Sequence, residues 1–184
     1  MTFKEKLIRT LNPKTEIMHY KANKISASLV LLAIVLNALM FLHIYGISSC
    51  VSDLLLGIDL IINIVFMLFA FLCSENQKKY DIKAGFISIG LGIIELARIF
   101  FIPFKYHNQY VSETNALYQE YLDSIAGATG EVAPFVNLAK GLPTGDFTYV
   151  VILMVVASVL LIGAGIICIL KTNRLRKYLN ENHD

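Results

Sequence analysis

Four stretches of nearly unbroken hydrophobicity, separated by polar interruptions of unequal length, organise this chain. A helix needs about 20 apolar residues to cross a hydrocarbon core of about 30 Å, and the spacing predicts four such helices at 26–46, 53–73, 83–103 and 148–170. The interruptions at 47–52 and 74–82 are too short to reach across a bundle, so the first three helices must pack as antiparallel neighbours. The third interruption, 104–147, is the one sizeable segment outside the spans. Its pattern predicts a short amphipathic helix from Ser112 to about Ala126, with Leu117, Tyr121 and Ile125 on one stripe and Tyr118 and Leu122 beside it. Ser112 is placed to cap that helix and Glu113 to sit in its first turn. Gly127, Gly130, Pro134, Gly141, Pro143 and Gly145 then break the chain into turns. Leu142-Pro143-Thr144-Gly145 is one of these turns; it differs from a sortase signal in lacking a residue between Pro and Thr. So small a segment buries little core alone and is expected to lie on the bundle or on another protein.

The ends read differently from the spans. In 1–25, Phe3, Leu7, Ile8 and Leu11 recur at helical spacing while Lys4, Lys6 and Arg9 take the other side, the pattern of a helix lying in the membrane interface. That helix should end near Asn12-Pro13, and the following stretch to Lys24 is too polar to insert. Phe3, Leu7, Leu11, Met18 and Tyr20 are its candidate contacts with lipid or with a docking partner. A basic tail, 171–184, follows the last span.

Composition agrees with the pattern: a 184-residue chain that is 56% hydrophobic, with mean hydropathy +0.62, carries more apolar surface than one soluble core absorbs. Charge then orients it. Lys4, Lys6, Arg9, Lys14, Lys21 and Lys24 precede the first span, Lys78, Lys79 and Lys83 border the second turn, and Lys171, Arg174, Arg176 and Lys177 follow the last span. The opposite side has only Lys105 and Lys140, beside Glu113, Glu120, Asp123, Glu131 and Asp146. Short basic loops stay in the cytoplasm, so both termini are expected inside and 104–147 outside. The net charge of +2 thus joins a basic inner face to an acidic outer one, and the basic groups favour anionic lipid over nucleic acid. The first apolar run is longer than a signal-peptide core and follows a long basic lead, which favours a permanent helix. Tyr45, Tyr106, Tyr110 and Tyr149 on one side, and Tyr20, Tyr80 and Tyr178 on the other, form an interfacial belt in a chain without Trp. Of three cysteines, Cys50 faces outward, Cys73 lies near the inner edge and Cys168 lies within the last span, so no intrachain disulfide is expected.

Polar residues within the spans carry the most information, because each is costly in lipid and turns toward the bundle. Asn37, Asp59, Asn63, Glu95 and Arg98 all fall about 8–15 Å below the outer ends, counting about 1.5 Å per residue. Asp59 and Asn63 share one helix face, and Glu95 and Arg98 another. The expected network pairs Arg98 with Asp59 across helices and with Glu95 along its own helix, completed by Asn37 and Asn63. Such a cluster can be interhelical glue, a pairing site for polar groups on a partner's helices, or part of an ion path; a path would need matching groups in the inner half. In the third span Ala84, Ser88 and Gly92 recur every four residues, a face that lets another helix approach closely.

Chemistry of other kinds has no motif here. The sequence holds no Walker A loop, Gly-x-Ser-x-Gly, His-Glu-x-x-His or Cys-x-x-Cys, and His19, His43, His107 and His183 are scattered over both sides. Glu120 and Asp123 form a solvated helical face rather than a cation site. No catalytic role, cofactor or metal is expected.

The string Asn12-Pro13-Lys14-Thr15-Glu16, followed by Met18-His19-Tyr20-Lys21-Ala22-Asn23-Lys24, resembles the start of small four-span proteins that accompany carbohydrate ABC importers in Gram-positive bacteria. The resemblance covers the chain in layout and is specific only in that string. It implies an accessory subunit beside two permease proteins, with an ATPase and an extracellular binding protein supplied by other chains, and it assigns no functional residue here. Two other expectations stand beside it. One is an autonomous homo-oligomeric transporter or channel, and the other is a tetraspanin-like scaffold. The latter shares the loop layout, but 104–147 lacks the cysteines that tetraspanins need.

Overall fold

The computed structural model describes residues 13–47, 54–126 and 134–181, and among these every regular element is helical. The helices are α1 (Pro13–Gly46), α2 (Leu54–Gln77), α3 (Ile82–Phe101), α4 (Pro103–Ile125) and α5 (Thr144–Glu181). Four helical stretches are long and apolar enough to cross a membrane. α1, α2, α3 and α5 form a ring in which α5 closes on both α3 and α1, so that α1 and α3 face each other across its diagonal.

The bundle is apolar outside, and small and polar residues share its interior with larger ones such as Met40, Phe66 and Leu161. Leu42, Ile61, Phe69, Ile93 and Val159 are exposed, while the interior is built on Ala33, Ala70, Ala84, Ala157 and Ala164 with Ser88 and Ser158. Association between helices in lipid depends on close packing and hydrogen bonds rather than on hydrophobic burial, and small residues permit both. Ser88 Oγ donates to Leu161 O at 2.8 Å and Ser158 Oγ to Gly92 O at 2.8 Å, so the two hydroxyls lace α3 to α5. A Cβ on Gly92 would stand 3.0 Å from Ser158 O, and one on Gly165 only 2.5 Å from Gly85 O. Ser88 and Gly92 of the predicted packing face therefore meet the chain's own α5, while Ala84 accepts from Cys73 of α2 through its carbonyl.

α1 starts at Pro13, ahead of the expected 26, so the polar stretch up to Lys24 is helical, and three further boundaries differ from the sequence expectation. α2 runs through Gln77 instead of ending at 73, because Ser74 and Gln77 find partners inside the bundle. The connection shortens to 78–81, with Tyr80 at φ 57 and the Asp81 carboxylate capping α3 through Lys83 N at 2.9 Å. The basic segment after 170 is no separate tail: α5 continues to Glu181, and Thr172 and Leu175 are buried.

The third difference is the largest. The helix predicted to start at Ser112 starts at Pro103, and Ser112 is an exposed residue in its middle. Proline is tolerated in a first helical turn, where its missing N–H has no partner to lose. The ladder passes over it, since Ile102 N donates to Arg98 O at 2.9 Å and Tyr106 N to Ile102 O at 3.2 Å. α3 and α4 thus form one helical stretch of 44 residues, joined through Ile102 at φ −103 and ψ −76. The chain returns along α4 as a strap without regular structure, 134–140. It turns at Gly141, whose φ of +123 and a Cβ position 2.4 Å from Tyr106 O admit only glycine. Leu142 N then donates to Tyr106 O at 3.0 Å, Leu142 is fully buried, and α5 begins.

Candidate functional site

The diagonal of the ring is where the polar side chains meet. Glu95 on α3 is fully buried, and one carboxylate oxygen accepts from Asn37 Nδ2 of α1 at 2.8 Å. The other accepts from Arg98 Nη1 at 2.6 Å, one turn along the same helix. Arg98 Nη2 donates to Asn63 Oδ1 of α2 at 2.7 Å. The guanidinium lies between two aromatic rings, 4.8 Å from the Phe66 centroid and 6.0 Å from that of Phe41. Three helices are joined by one buried ion pair and its two amides. Among the described residues Asn37 Oδ1, Asn63 Nδ2 and Arg98 Nε have no hydrogen-bond partner, so the network holds unused hydrogen-bonding capacity. Beside it a cavity of 340 Å³ lies between α1 and α2, walled by Phe41, Leu42, Leu60, Asn63 and Met67.

Asp59 is not part of this cluster. Its Oδ2 accepts from Tyr106 Oη at 3.1 Å and faces Lys105 Nζ at 3.6 Å, instead of pairing with Arg98. The reason is the continuation of the helix past Pro103. Lys105 and Tyr106 arrive over the start of α2 as helical residues, while Arg98 is drawn along its own helix toward Glu95. Lys105 also sits 4.6 Å from the Tyr106 ring centroid. A second link at the same end joins α1 to α5: His43 Nε2 lies 2.8 Å from Asp146 Oδ1 and its ring meets Tyr149 edge-on at 4.8 Å. His107 holds the end of the strap, Nδ1 lying 3.0 Å from Leu142 O with its ring stacked on Phe147.

At the opposite end, around the turn 78–81, the buried side chains form a neutral collar, with a part-exposed ion pair between Lys78 and Glu75 at its rim. The Asn23 amide donates to Gln77 O, Ser74 Oγ to Ala27 O at 3.1 Å, and Thr172 Oγ1 to Tyr80 O at 3.4 Å. Gln77 Nε2 and Cys73 Sγ both reach Ala84 O, and Cys168 Sγ reaches Asp81 O. Cys73 and Cys168 are free thiols. Burial pushes the Tyr80 phenol up to about 12. The sequence carries nothing comparable to the charged cluster in this half, and the buried amides and hydroxyls of the collar bind mostly backbone carbonyls, with Gln77 Nε2 also reaching Cys73 Sγ. Its sequence signal was available as Asn23, Ser74, Gln77 and Thr172, each at the edge of an apolar run.

Of the candidate docking residues, Phe3, Leu7 and Leu11 lie outside the described residues, and Met18 and Tyr20 fall in the first turns of α1. Among the described residues no group of three or more His, Cys, Asp or Glu is arranged to hold a metal. Compared with protein-family models, curated proteins and solved structures, the chain finds no match in any of the three.

Proposed function

We propose that this chain is a non-catalytic accessory subunit of a multi-component transporter of the ABC carbohydrate-importer type, in the plasma membrane with both termini in the cytoplasm. The observation that carries the reading is the closure of the Glu95–Arg98 pair on Asn37 and Asn63, which ties three helices together and uses both carboxylate oxygens internally. A buried pair so placed acts as interhelical glue. The distribution of Lys and Arg supports the orientation, and the resemblance of the string from Asn12 to Lys24 supports the partners: two permeases, a cytoplasmic ATPase and an extracellular binding protein. The 340 Å³ cavity between α1 and α2 offers a permease helix a seat against the network.

One observation favours a second reading, an autonomous homo-oligomeric transporter or channel: Asn37 Oδ1, Asn63 Nδ2 and Arg98 Nε are buried without a partner among the described residues, a state that water in a conducting path would relieve. Purification in mild detergent through a C-terminal tag, followed by mass spectrometry of stoichiometric companions, separates the two. Two permeases and an ATPase are expected. Recovery of this chain alone, with flux in proteoliposomes that Arg98→Gln abolishes, would establish the second reading.

A further inference from the structure

The 44-residue stretch formed by α3 and α4 is about 66 Å long at 1.5 Å per residue, more than twice a hydrocarbon core of about 30 Å. Its apolar part ends at Phe101, so α4 is an arm of about 35 Å beyond the apolar section. The base of the arm is fixed by Asp59 on Lys105 and Tyr106, and by His107 on Leu142 O. Along the arm the strap is tied by Asn137 Nδ2 to Tyr110 Oη at 2.9 Å and to Thr114 Oγ1 at 3.2 Å, and by Lys140 N to Glu113 Oε2 at 2.7 Å. Near its far end Phe135 closes on Tyr118 and Tyr121, with ring centroids 5.4 and 5.5 Å apart.

This end carries a groove of 280 Å³ between arm and strap, walled by Leu117, Tyr121, Phe135 and Val136 with Glu120 and Ser124 at its edge. Val136 is 66% exposed, Leu138 76% and Tyr118 46%. Apolar side chains gathered in this way, rimmed by polar ones, mark an interaction surface. The charge is one-sided: between Lys105 and Lys140 the chain has no Lys or Arg, but it has Glu113, Glu120, Asp123 and Glu131. Glu120 and Asp123 are exposed on the arm.

We infer that the end of this arm is a docking site for a water-soluble protein domain that lays an Arg or Lys side chain, with an apolar neighbour, into the groove beside Glu120, against the outer side of the Tyr121–Phe135 pair. A guanidinium or ammonium would lie against the aromatic faces and pair with the Glu120 carboxylate. The bilayer surface is the poorer occupant. The helical ladder carries across Ile102 and Pro103, which continues the helix past the apolar section, and the acidic rim repels anionic headgroups. The site stands on the arm's own geometry and does not depend on the transporter reading.

The test is a photo-crosslinking residue at Leu138 in the full-length protein, activated in the cell's own membrane, with adducts mapped by mass spectrometry. The expected adduct is a peptide of a water-soluble domain carrying Arg or Lys at the contact. Its yield should fall about tenfold in Glu120→Arg, less in Glu120→Gln, and recover when the contacting basic residue of the partner is exchanged for Glu. That rescue excludes misfolding of the arm as the cause. Adducts to phospholipid, adducts to a second copy of this chain, adducts indifferent to Glu120→Arg, or no adduct would each overturn the proposal. A soluble partner found here would stand even if no permease copurified with the chain.

Discussion

At the α4 end of the bundle the buried polar side chains answer one another: Asn37 binds Glu95, Glu95 binds Arg98, and Arg98 binds Asn63. At the turn end they answer the backbone, with Asn23 on Gln77 O, Ser74 on Ala27 O and Thr172 on Tyr80 O. The two arrangements hold helices together by different means. A side chain bound to a carbonyl can be removed and leaves one neutral acceptor behind. A side chain in a charged pair cannot, because its loss strands a charge in the interior. The α4 end is therefore specific and brittle, and the turn end is tolerant.

The largest effect should come from breaking the charged pair. Glu95→Leu and Arg98→Leu, each alone, should cost about 3–5 kcal/mol, seen as loss of the monodisperse peak when detergent-solubilised protein is heated before size-exclusion chromatography. Next comes the contact between α3 and α5 that spans both ends. Gly165→Ala places a Cβ 2.5 Å from Gly85 O, which is backbone and cannot rotate away, so the same assay should report about 1–3 kcal/mol of overpacking. Gly163→Ala meets nothing within 4 Å and should leave the melt unchanged. Asn23→Ala, at the neutral collar, should cost about 0.6 kcal/mol and no more than about 2. A loss as large as that of Glu95→Leu would erase the contrast between the two ends.

The effect that vanishes at neutral pH, and shows only in alkali, is a pH dependence at the turn. Burial raises the folded Tyr80 phenol to about 12 from an ordinary value of 10.0. Its contribution to stability is therefore complete below pH about 10 and is lost as pH rises through about 12. An ultraviolet titration of the native protein minus that of Tyr80→Phe should show one phenol ionising near pH 12. Ionisation of that phenol near 10 would place Tyr80 in solvent.

The four spans were legible because lipid imposes a length and a polarity that apolar runs state directly, and the residues that meet on the diagonal were legible because few polar groups interrupt those runs. The pairing of Arg98 was half legible. Spacing of three residues along α3 gave Glu95, but equal depth suggested Asp59, and depth carries no information about which way a long side chain bends. Pro103 concealed the rest: taken as the end of a helix, it hid the continuation that brings Lys105 and Tyr106 to Asp59 and sets Ser112 in mid-helix. Gly141 was read as one turn residue among several, yet only its contact with Tyr106 O shows why a side chain has no room there. The collar was missed because amides and hydroxyls at span edges look the same whether they face water or a neighbouring carbonyl.

The central claim is that Glu95 and Arg98 serve each other rather than a conducted ion, and a double-mutant cycle tests it most directly. If they serve each other, Glu95→Leu with Arg98→Leu should cost about 3 kcal/mol less than the sum of the two single losses, a coupling at the upper end of the usual range. Losses that simply add would show two independent buried groups and contradict the account.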